Sequence, residues 1–190
     1  MPCNISLERK MSLFALHSCY AVHMTYKQPL KTHKNRRLFV IDLENAACSP
    51  RLNFAMVDYF ATKIVSILKI EASDLVVVAG ACGNALMVNH VASRLHGQAR
   101  YRNGKDGADV ALLDHLAQTV NQCSKSKETS ISEVIIVSGD HIFGKAVKEL
   151  RQKGVFTTVV AYRTTLSRSL ANVCNRIIYL DLNEVNEQAA

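Results

Sequence analysis

The sequence predicts an α/β fold, a three-layer α/β/α sandwich with a mostly parallel central sheet. Short, mainly apolar runs, such as LFVID at 38–42, LVVVA at 75–79 and VIIVS at 134–138, alternate with amphipathic stretches. Such runs are typical of strands buried on both faces of a parallel sheet and joined by helices. A chain of 190 residues that is 48% hydrophobic and 21% charged has enough apolar material for one such domain.

The first half of the predicted domain contains three strands and two helices. Residues 38–42 and 75–79 are expected to form buried strands, and residues 99–102 a short edge strand. Residues 53–70 are expected to be helical because their apolar side chains recur at helical spacing. These side chains are Phe54, Val57, Phe60, Ala61, Ile64, Val65 and Leu68. A second helix is expected over residues 83–95.

The second half continues the alternation. A helix is expected over 107–123, with an apolar stripe that includes Leu113, Leu116 and Val120, and the polar run 124–130 is expected to be a loop. Residues 134–138 form a central strand, and an apolar stripe that ends at Leu150 predicts the helix after it. Strands are then expected over 155–161 and 177–180, with a short helix near 166–173 between them.

The formal net charge of +7 is concentrated at the amino terminus. Of 23 Lys and Arg residues, seven lie in residues 1–37, together with only one of the 16 acidic residues. We therefore interpret residues 1–35 as a basic, flexible N-terminal extension, residues 36–185 as the folded domain and residues 186–190 as a C-terminal tail. A basic extension can strengthen contacts with phosphates, but basic tails without a nucleic-acid partner are equally common.

The cysteines and the apolar segment near the amino terminus bear on location. Six cysteines occur without a C-x-x-C pair, which favours reduced thiols packed in the core of a cytoplasmic protein over disulfides or structural zinc. The apolar stretch 11–24 is interrupted by His17 and His23 and is too short to cross a bilayer. No membrane association is expected.

Three aspartates are expected near one edge of the sheet. Asp42 ends the first buried strand, Asp140 follows the strand at 134–138, and Asp109 opens a helix on the stripe that faces the sheet. Each also has a purely structural explanation. Asp140 could cap the next helix for about 1 kcal/mol, Asp42 could form an Asx turn with Asn45, and Asp109 could interact favourably with the helix dipole.

Together, the three aspartates favour a site over three separate structural roles. Converging carboxylates repel one another, and a hard divalent cation such as Mg²⁺ or Mn²⁺ offsets that repulsion. A cation held by carboxylates can activate water and stabilise a departing oxygen of a phosphodiester. The pattern is therefore compatible with metal-dependent hydrolysis.

Three motifs, in this order, resemble the NYN family of the PIN-like nuclease superfamily. They are Asp42-Leu43-Glu44-Asn45 after a buried strand, Gly107-Ala108-Asp109-Val110 at a helix start, and Ser138-Gly139-Asp140-His141-Ile142-Phe143 after another buried strand. The resemblance covers about residues 36–185. It implies a PIN-like fold and a metal-dependent endoribonuclease that hydrolyses RNA phosphodiester bonds with Mg²⁺ or Mn²⁺.

The resemblance also implies roles for individual residues. Asp42, Asp109 and Asp140 would be metal ligands and catalytic, with Asn45 as a supporting catalytic residue. Many family members carry a further aspartate two residues after the one matching Asp140, where this chain has Ile142. Glu44 or Asp106 could partly replace that missing acid.

Substrate contacts are expected from polar and basic residues near these motifs. They are Ser138, which would also orient the loop carrying Asp140, His141, Arg102, Lys105, Arg100 and Arg163. An exposed loop without a binding role explains such basic residues about equally well.

Two other classes of function compete with the nuclease. The first is a catalytically weak or inactive PIN-like RNA-binding or adaptor module, suggested by Ile142 and the basic extension. The second, a nucleotide- or flavin-binding protein, is disfavoured because no strand precedes a full glycine-rich phosphate loop. RNA is the expected partner, and a homodimer or an inhibitory protein partner stays open.

Overall fold

The computed structural model describes residues 34–126 and 129–181. The described residues form six strands and six helices, named here in chain order. The strands are β1 (Lys34–Asp42), β2 (Leu75–Gly80), β3 (Gln98–Tyr101), β4 (Thr129–Val137), β5 (Phe156–Ala161) and β6 (Arg176–Tyr179). The helices are α1 (Leu43–Ala46), α2 (Phe54–Leu68), α3 (Ala85–Arg94), α4 (Gly107–Lys125), α5 (Gly144–Gln152) and α6 (Arg168–Ala171).

The strands form one sheet in the order β3-β2-β1-β4-β5-β6, and every pair in it is parallel. The predicted α/β sandwich is therefore confirmed, with a sheet that is entirely parallel within the described residues. The chain moves outward from β1 to β3 and then returns to β4 on the other side of β1. In such sheets ligands bind at the carboxyl ends of the strands, where the order reverses. Here that point lies between β1 and β4.

Hydrophobic clusters cover both faces of the sheet. Phe39 and Ile41 of β1 pack with α2 and α3 on one face. Leu38 and Val40 pack with α4 and α5 on the other. All four β1 side chains are fully buried, which explains why the strand has a continuous apolar sequence and no alternation.

Two predicted boundaries were wrong around the 124–130 loop. Helix α4 continues to Lys125, and β4 begins at Thr129, so the connection is much shorter than predicted. The polar start of β4 pairs with Lys34–Arg36 at an exposed end of the sheet, where Ser130 Oγ donates to Asn35 Oδ1 at 2.8 Å. Thr129 and Ser130 are only partly buried there, so polar residues suffice and the start of the strand has no apolar sequence signal.

The N-terminal extension and the C-terminal tail lie almost entirely outside the described residues. The exception is the boundary itself, because Lys34 and Asn35 already belong to β1.

Cys48, Cys82, Cys123 and Cys174 are free thiols, but Cys48 and Cys82 are exposed, so core packing was the wrong role for these two. Within the described residues, no helix is both long and apolar enough to cross a membrane.

Candidate active site

Asp42 is the last residue of β1, and the short helix α1 begins directly after it. Its Oδ1 accepts a hydrogen bond from the backbone N–H of Asn45 at 3.3 Å and so caps α1. The Oδ1 atom of Asn45 in turn accepts from the backbone N–H of Gly139 at 2.9 Å. The Asp42–Asn45 contact considered from the sequence is therefore present, as a helix N-cap instead of an Asx turn, and Asn45 joins the end of β1 to the loop after β4.

Ser138 and Gly139 shape that loop. Ser138 is buried, and its hydroxyl donates to Asp42 Oδ2 at 3.5 Å while accepting from the backbone N–H of Asp140 at 3.2 Å. A Cβ at position 139 would collide with the carbonyl oxygen of Thr165, so only glycine fits between the two loops. The backbone N–H of Ser167 also donates to Gly139 O at 2.9 Å.

Asp109 enters the site through a second close backbone approach. Asp106 has a φ of +56°, in the left-handed region that aspartate tolerates better than most residues. At the next position, a Cβ on Gly107 would collide with Arg102 O. This tight turn places the first turn of α4 against the carboxyl end of the sheet, where Asp109 is 8% exposed. The side chains of Asp42 and Asp109 lie within hydrogen-bonding reach of each other.

Burial and mutual repulsion make it costly for both carboxylates to ionise. Burial and then the charge of Asp109 raise the pKa of Asp42 to about 7. Burial and then the charge of Asp140 raise the pKa of Asp109 to about 6. Asp109 Oδ1 is buried and has no hydrogen-bond partner. An oxygen pair of this kind, with one oxygen unpartnered, fits a hard divalent cation, which commonly binds proteins through only one or two carboxylates.

Asp140 lies nearby, but its carboxylate has other partners. Its Oδ1 accepts from the backbone N–H of Ile142 at 3.0 Å and lies 2.8 Å from His141 Nδ1. The capping role considered from the sequence is therefore present, at a 3₁₀ turn that precedes α5. Asp140 is close enough to repel Asp109 electrostatically. In the part of the chain that the structure describes, no three Asp, Glu, His or Cys side chains are arranged to hold a metal ion.

A cleft of about 390 Å³ opens over the Asp42–Asp109 pair. The carboxylates line its acidic part, and Arg102 lines it together with the backbone around Gly104. Thr165 contributes from the loop after β5, and Cys48 from the turn after α1. Sequence reasoning missed Thr165 and Cys48, since neither belongs to a motif.

Glu44 lines the same cleft but is fixed by hydrogen bonds. Its Oε1 accepts from the backbone N–H of Ala81 at 2.8 Å and from Asn84 Nδ2 at 2.6 Å. These contacts connect α1 to the end of β2. Glu44 therefore positions the wall of the cleft, and one of its two carboxylate oxygens, Oε1, is already occupied.

The predicted substrate residues are not all near this cleft. Arg102 lines it and lies 3.4 Å from Asp114, and Lys105 is exposed in the adjacent loop. His141 is exposed beside Asp140. Arg100 instead faces α4, and Arg163 lies over the ring of Tyr179 at 4.4 Å. Neither arginine lines the cleft, because their neighbours in the fold direct them elsewhere.

Comparisons with known proteins agree with this architecture. The family model described as the NYN domain matches residues 41–181. A solved structure of a protein of unknown function from Vibrio parahaemolyticus superposes with a TM-score of 0.52 at 16% identity, covering 80% of this chain and 96% of that one. At this identity the likeness concerns the fold alone. No curated protein matches the chain.

Proposed function

Because the chain belongs to the NYN domain family, a family of PIN-like nucleases, we propose that it is a metal-dependent endoribonuclease that hydrolyses RNA phosphodiester bonds. The observation that carries the proposal is the contact between two buried carboxylates, Asp42 and Asp109, at the carboxyl edge of the sheet. Two such groups cannot both ionise cheaply without a cation. A divalent cation would therefore complete the site.

Each residue near the cleft has a definable task in this proposal. Asp42 and Asp109 would hold Mg²⁺ or Mn²⁺, and Asp140 would supply a third carboxylate at the same edge. When bound, the ion supplies activation of water and stabilisation of the departing oxygen. Ser138 and Asn45 fix the Asp42 carboxylate through the hydrogen bonds described above.

Substrate binding falls to the basic side of the cleft. Arg102 lines the wall, and its guanidinium can donate two hydrogen bonds to one phosphate. Lys105 projects from the same loop and adds a second positive charge. RNA is the proposed partner. The cytoplasmic location, a homodimer and an inhibitory protein partner stay predictions.

The test is cleavage of an end-labelled single-stranded RNA by the whole chain with Mg²⁺ or Mn²⁺. Asp42→Asn and Asp109→Asn should each reduce cleavage by more than the roughly 10–100-fold that loss of a hydrogen-bonding partner of a metal ligand costs. EDTA should abolish cleavage. Asp58→Asn is the matched control. Asp58 of α2 pairs with His90 and Arg94 of α3, on the face of the sheet opposite to α4. EDTA-resistant cleavage, or cleavage retained in both site variants, would refute the proposal.

A second candidate is a PIN-like RNA-binding module with little or no turnover. It is favoured by the Asp140 carboxylate, which is bound to the Ile142 backbone and to His141, and by the apolar side chain of Ile142 itself. This candidate predicts salt-sensitive RNA binding with no metal-dependent cleavage by the wild-type chain. The cleavage assay above therefore separates the two.

A further inference from the structure

A second polar cavity, of about 440 Å³, lies along the edge of the sheet between β3 and α4. We call it the edge cavity. It is lined by basic, amide and hydroxyl side chains, among them Arg36, His96, Gln98, Arg100, His115 and Thr119. Its acidic residue is Asp74, and that carboxylate is already bound by Arg37 and by the backbone N–H of Glu71 at 2.8 Å. The charge of Asp74 is therefore largely offset before any ligand enters.

Arg36 brings to this cavity a guanidinium whose Nε has no hydrogen-bond partner. It lies on the same face of β1 as Leu38, which packs towards α4, whereas Arg37 points to the other face and binds Asp74. The Nε of Arg36 is buried and has no hydrogen-bond partner. A guanidinium stays charged and can only donate hydrogen bonds. Nε therefore lacks an acceptor, and an anionic oxygen is the acceptor that binds a guanidinium most strongly.

Arg100 adds a second guanidinium, held by neutral groups only. It donates to Ala99 O at 2.9 Å and to Gln98 Oε1 at 2.6 Å, and it lies 3.3 Å from His115 Nδ1. Because arginine can only donate, His115 accepts at Nδ1, and its Nε2 faces Thr119 Oγ1 at 3.3 Å. Burial and then the charge of Arg100 lower the pKa of His115, which keeps this ring neutral. Among the described residues, no carboxylate pairs with Arg100 or Arg36.

The edge cavity and the active-site cleft lie along the same helix. The first turn of α4, at Gly107–Asp109, lines the cleft, whereas the stretch from His115 to Cys123 lines the edge cavity. The distance from Asp109 to Thr119 along the helix is about 15 Å. On β3, Arg100 lines the edge cavity, and Arg102, two residues later, lines the cleft. A polymer with regularly spaced negative charges could contact both.

We propose that the edge cavity binds a backbone phosphate of the same single-stranded RNA whose reacting bond lies in the cleft, with Arg36 as the principal contact. This inference rests on the proposed function for the identity of the polymer. It assigns the cavity a positioning role, because the bound phosphate lies a few nucleotides from the reacting bond. The same cavity chemistry would also accept a free phosphate ion, so the experiment has to separate these two sources.

The experiment measures binding of the whole chain to fluorescent oligoribonucleotides in EDTA, so that no cleavage is required. Two lengths are used, about 2 and about 12 nucleotides, because the shorter cannot span the ~15 Å between the sites and the longer lies within the range of single-strand binding sites. Arg36→Gln should weaken binding of the longer RNA by about threefold to tenfold and reduce its salt slope by about 0.7. Binding of the shorter RNA, which fills the cleft alone, should not change.

Two further variants protect this test from a folding artefact. Gln118→Glu places a negative charge at an exposed position of α4 that lines the edge cavity, and it should weaken binding of the longer RNA in the same way. Arg94→Gln is the matched control, since Arg94 is exposed on α3 and pairs with Asp58. This control should bind both lengths as the wild type does.

Each outcome decides the inference. Equal binding of the longer RNA by the wild type, Arg36→Gln and Gln118→Glu would overturn it, even if the wild type cleaves RNA. A different result is that inorganic phosphate shifts the NMR signals of His115 in an Arg36-dependent manner, while Arg36→Gln and Gln118→Glu bind RNA with the same affinity as the wild type. In that case the cavity binds a small anion only. The RNA inference is then wrong. Length-dependent losses without any cleavage by the wild type would support the inference and refute the proposed nuclease.

Discussion

The Asp42–Asp109 pair should destabilise the metal-free protein at neutral pH, and Asp42→Asn should remove that effect. Asp42 has an ordinary pKa of 3.8 and a pKa of about 7 in the fold. The folded state therefore holds its proton to higher pH than the unfolded chain does. The free energy of unfolding then falls as pH rises from 3.8 to about 7, and it changes no further above that.

The expected size follows from the same numbers. A difference of about three pH units corresponds to about 4 kcal/mol, and sharing of the proton with Asp109 reduces it to about 2–4 kcal/mol. For a domain of this size, that equals about 4–15 °C in the midpoint of thermal unfolding. Asn at position 42 can still accept from the backbone of Asn45, and its amide can donate to Asp109, so the loss is confined to the long 3.5 Å bond that Ser138 Oγ donates to Asp42 Oδ2.

The assay is thermal unfolding in EDTA at about pH 4.5 and about pH 8. Asp42→Asn should be more stable than the wild type at the higher pH, and this advantage should fall to about a quarter at the lower pH. Glu149→Gln, which neutralises an exposed acid on α5, is the control and should show no such pH dependence. Mn²⁺ at about 100 times its dissociation constant should stabilise the wild type by about 2.7 kcal/mol and leave the variant unchanged. A variant that is less stable than the wild type at pH 8 would refute the reasoning.

Two other substitutions test the loop after β4. Gly139→Ala would force a Cβ into the carbonyl oxygen of Thr165, and we expect a loss of about 2–4 kcal/mol in urea unfolding. The control is Gly83→Ala, where a Cβ meets no neighbouring atom, and equal losses in both would contradict the role of the close approach. Ile142→Asp adds a carboxylate at the position where the resemblance implies a further aspartate in many family members, and it should raise Mn²⁺ affinity, measured by calorimetry, by about tenfold. Ile142→Asn, which adds no charge, should not raise it, and an unchanged affinity in Ile142→Asp would show that position 142 cannot reach the ion.

The buried centre of the fold could be predicted from the sequence, and its exposed margins could not. Strands β1, β2 and β4 have apolar side chains on both faces, so each gives a continuous hydrophobic signal. The first residues of β4 pair at the rim of the sheet, where Thr129 and Ser130 meet solvent and satisfy their hydrogen bonds locally. A sequence pattern that depends on burial has no information about such residues.

For the candidate site, too, some features could be predicted from the sequence and others could not. That Asp42 and Asp109 would meet followed from the shared edge of parallel strands and from the helix stripe that faces them. The direction of the Asp140 carboxylate depends on its cap with the Ile142 N–H and on His141, which are local choices that no periodicity encodes. Arg100 lies on β3 and Arg102 directly after its end, and both contact α4, through His115 and Asp114 respectively, yet only Arg102 lines the cleft. That difference depends on where the chain leaves the strand, which no periodicity encodes.

The order of the strands alone would not have identified the function, because the same order occurs in dinucleotide-binding sheets. Those sheets bind a pyrophosphate with glycine-rich backbone at the first strand–helix turn. In this chain the corresponding turn carries Asp42, which is 6% exposed and contacts a second acid. A pyrophosphate placed there without a cation would meet carboxylates where it needs N–H donors. The reversal point of this sheet therefore favours a cation, and an anionic substrate approaches it from the arginine side of the cleft.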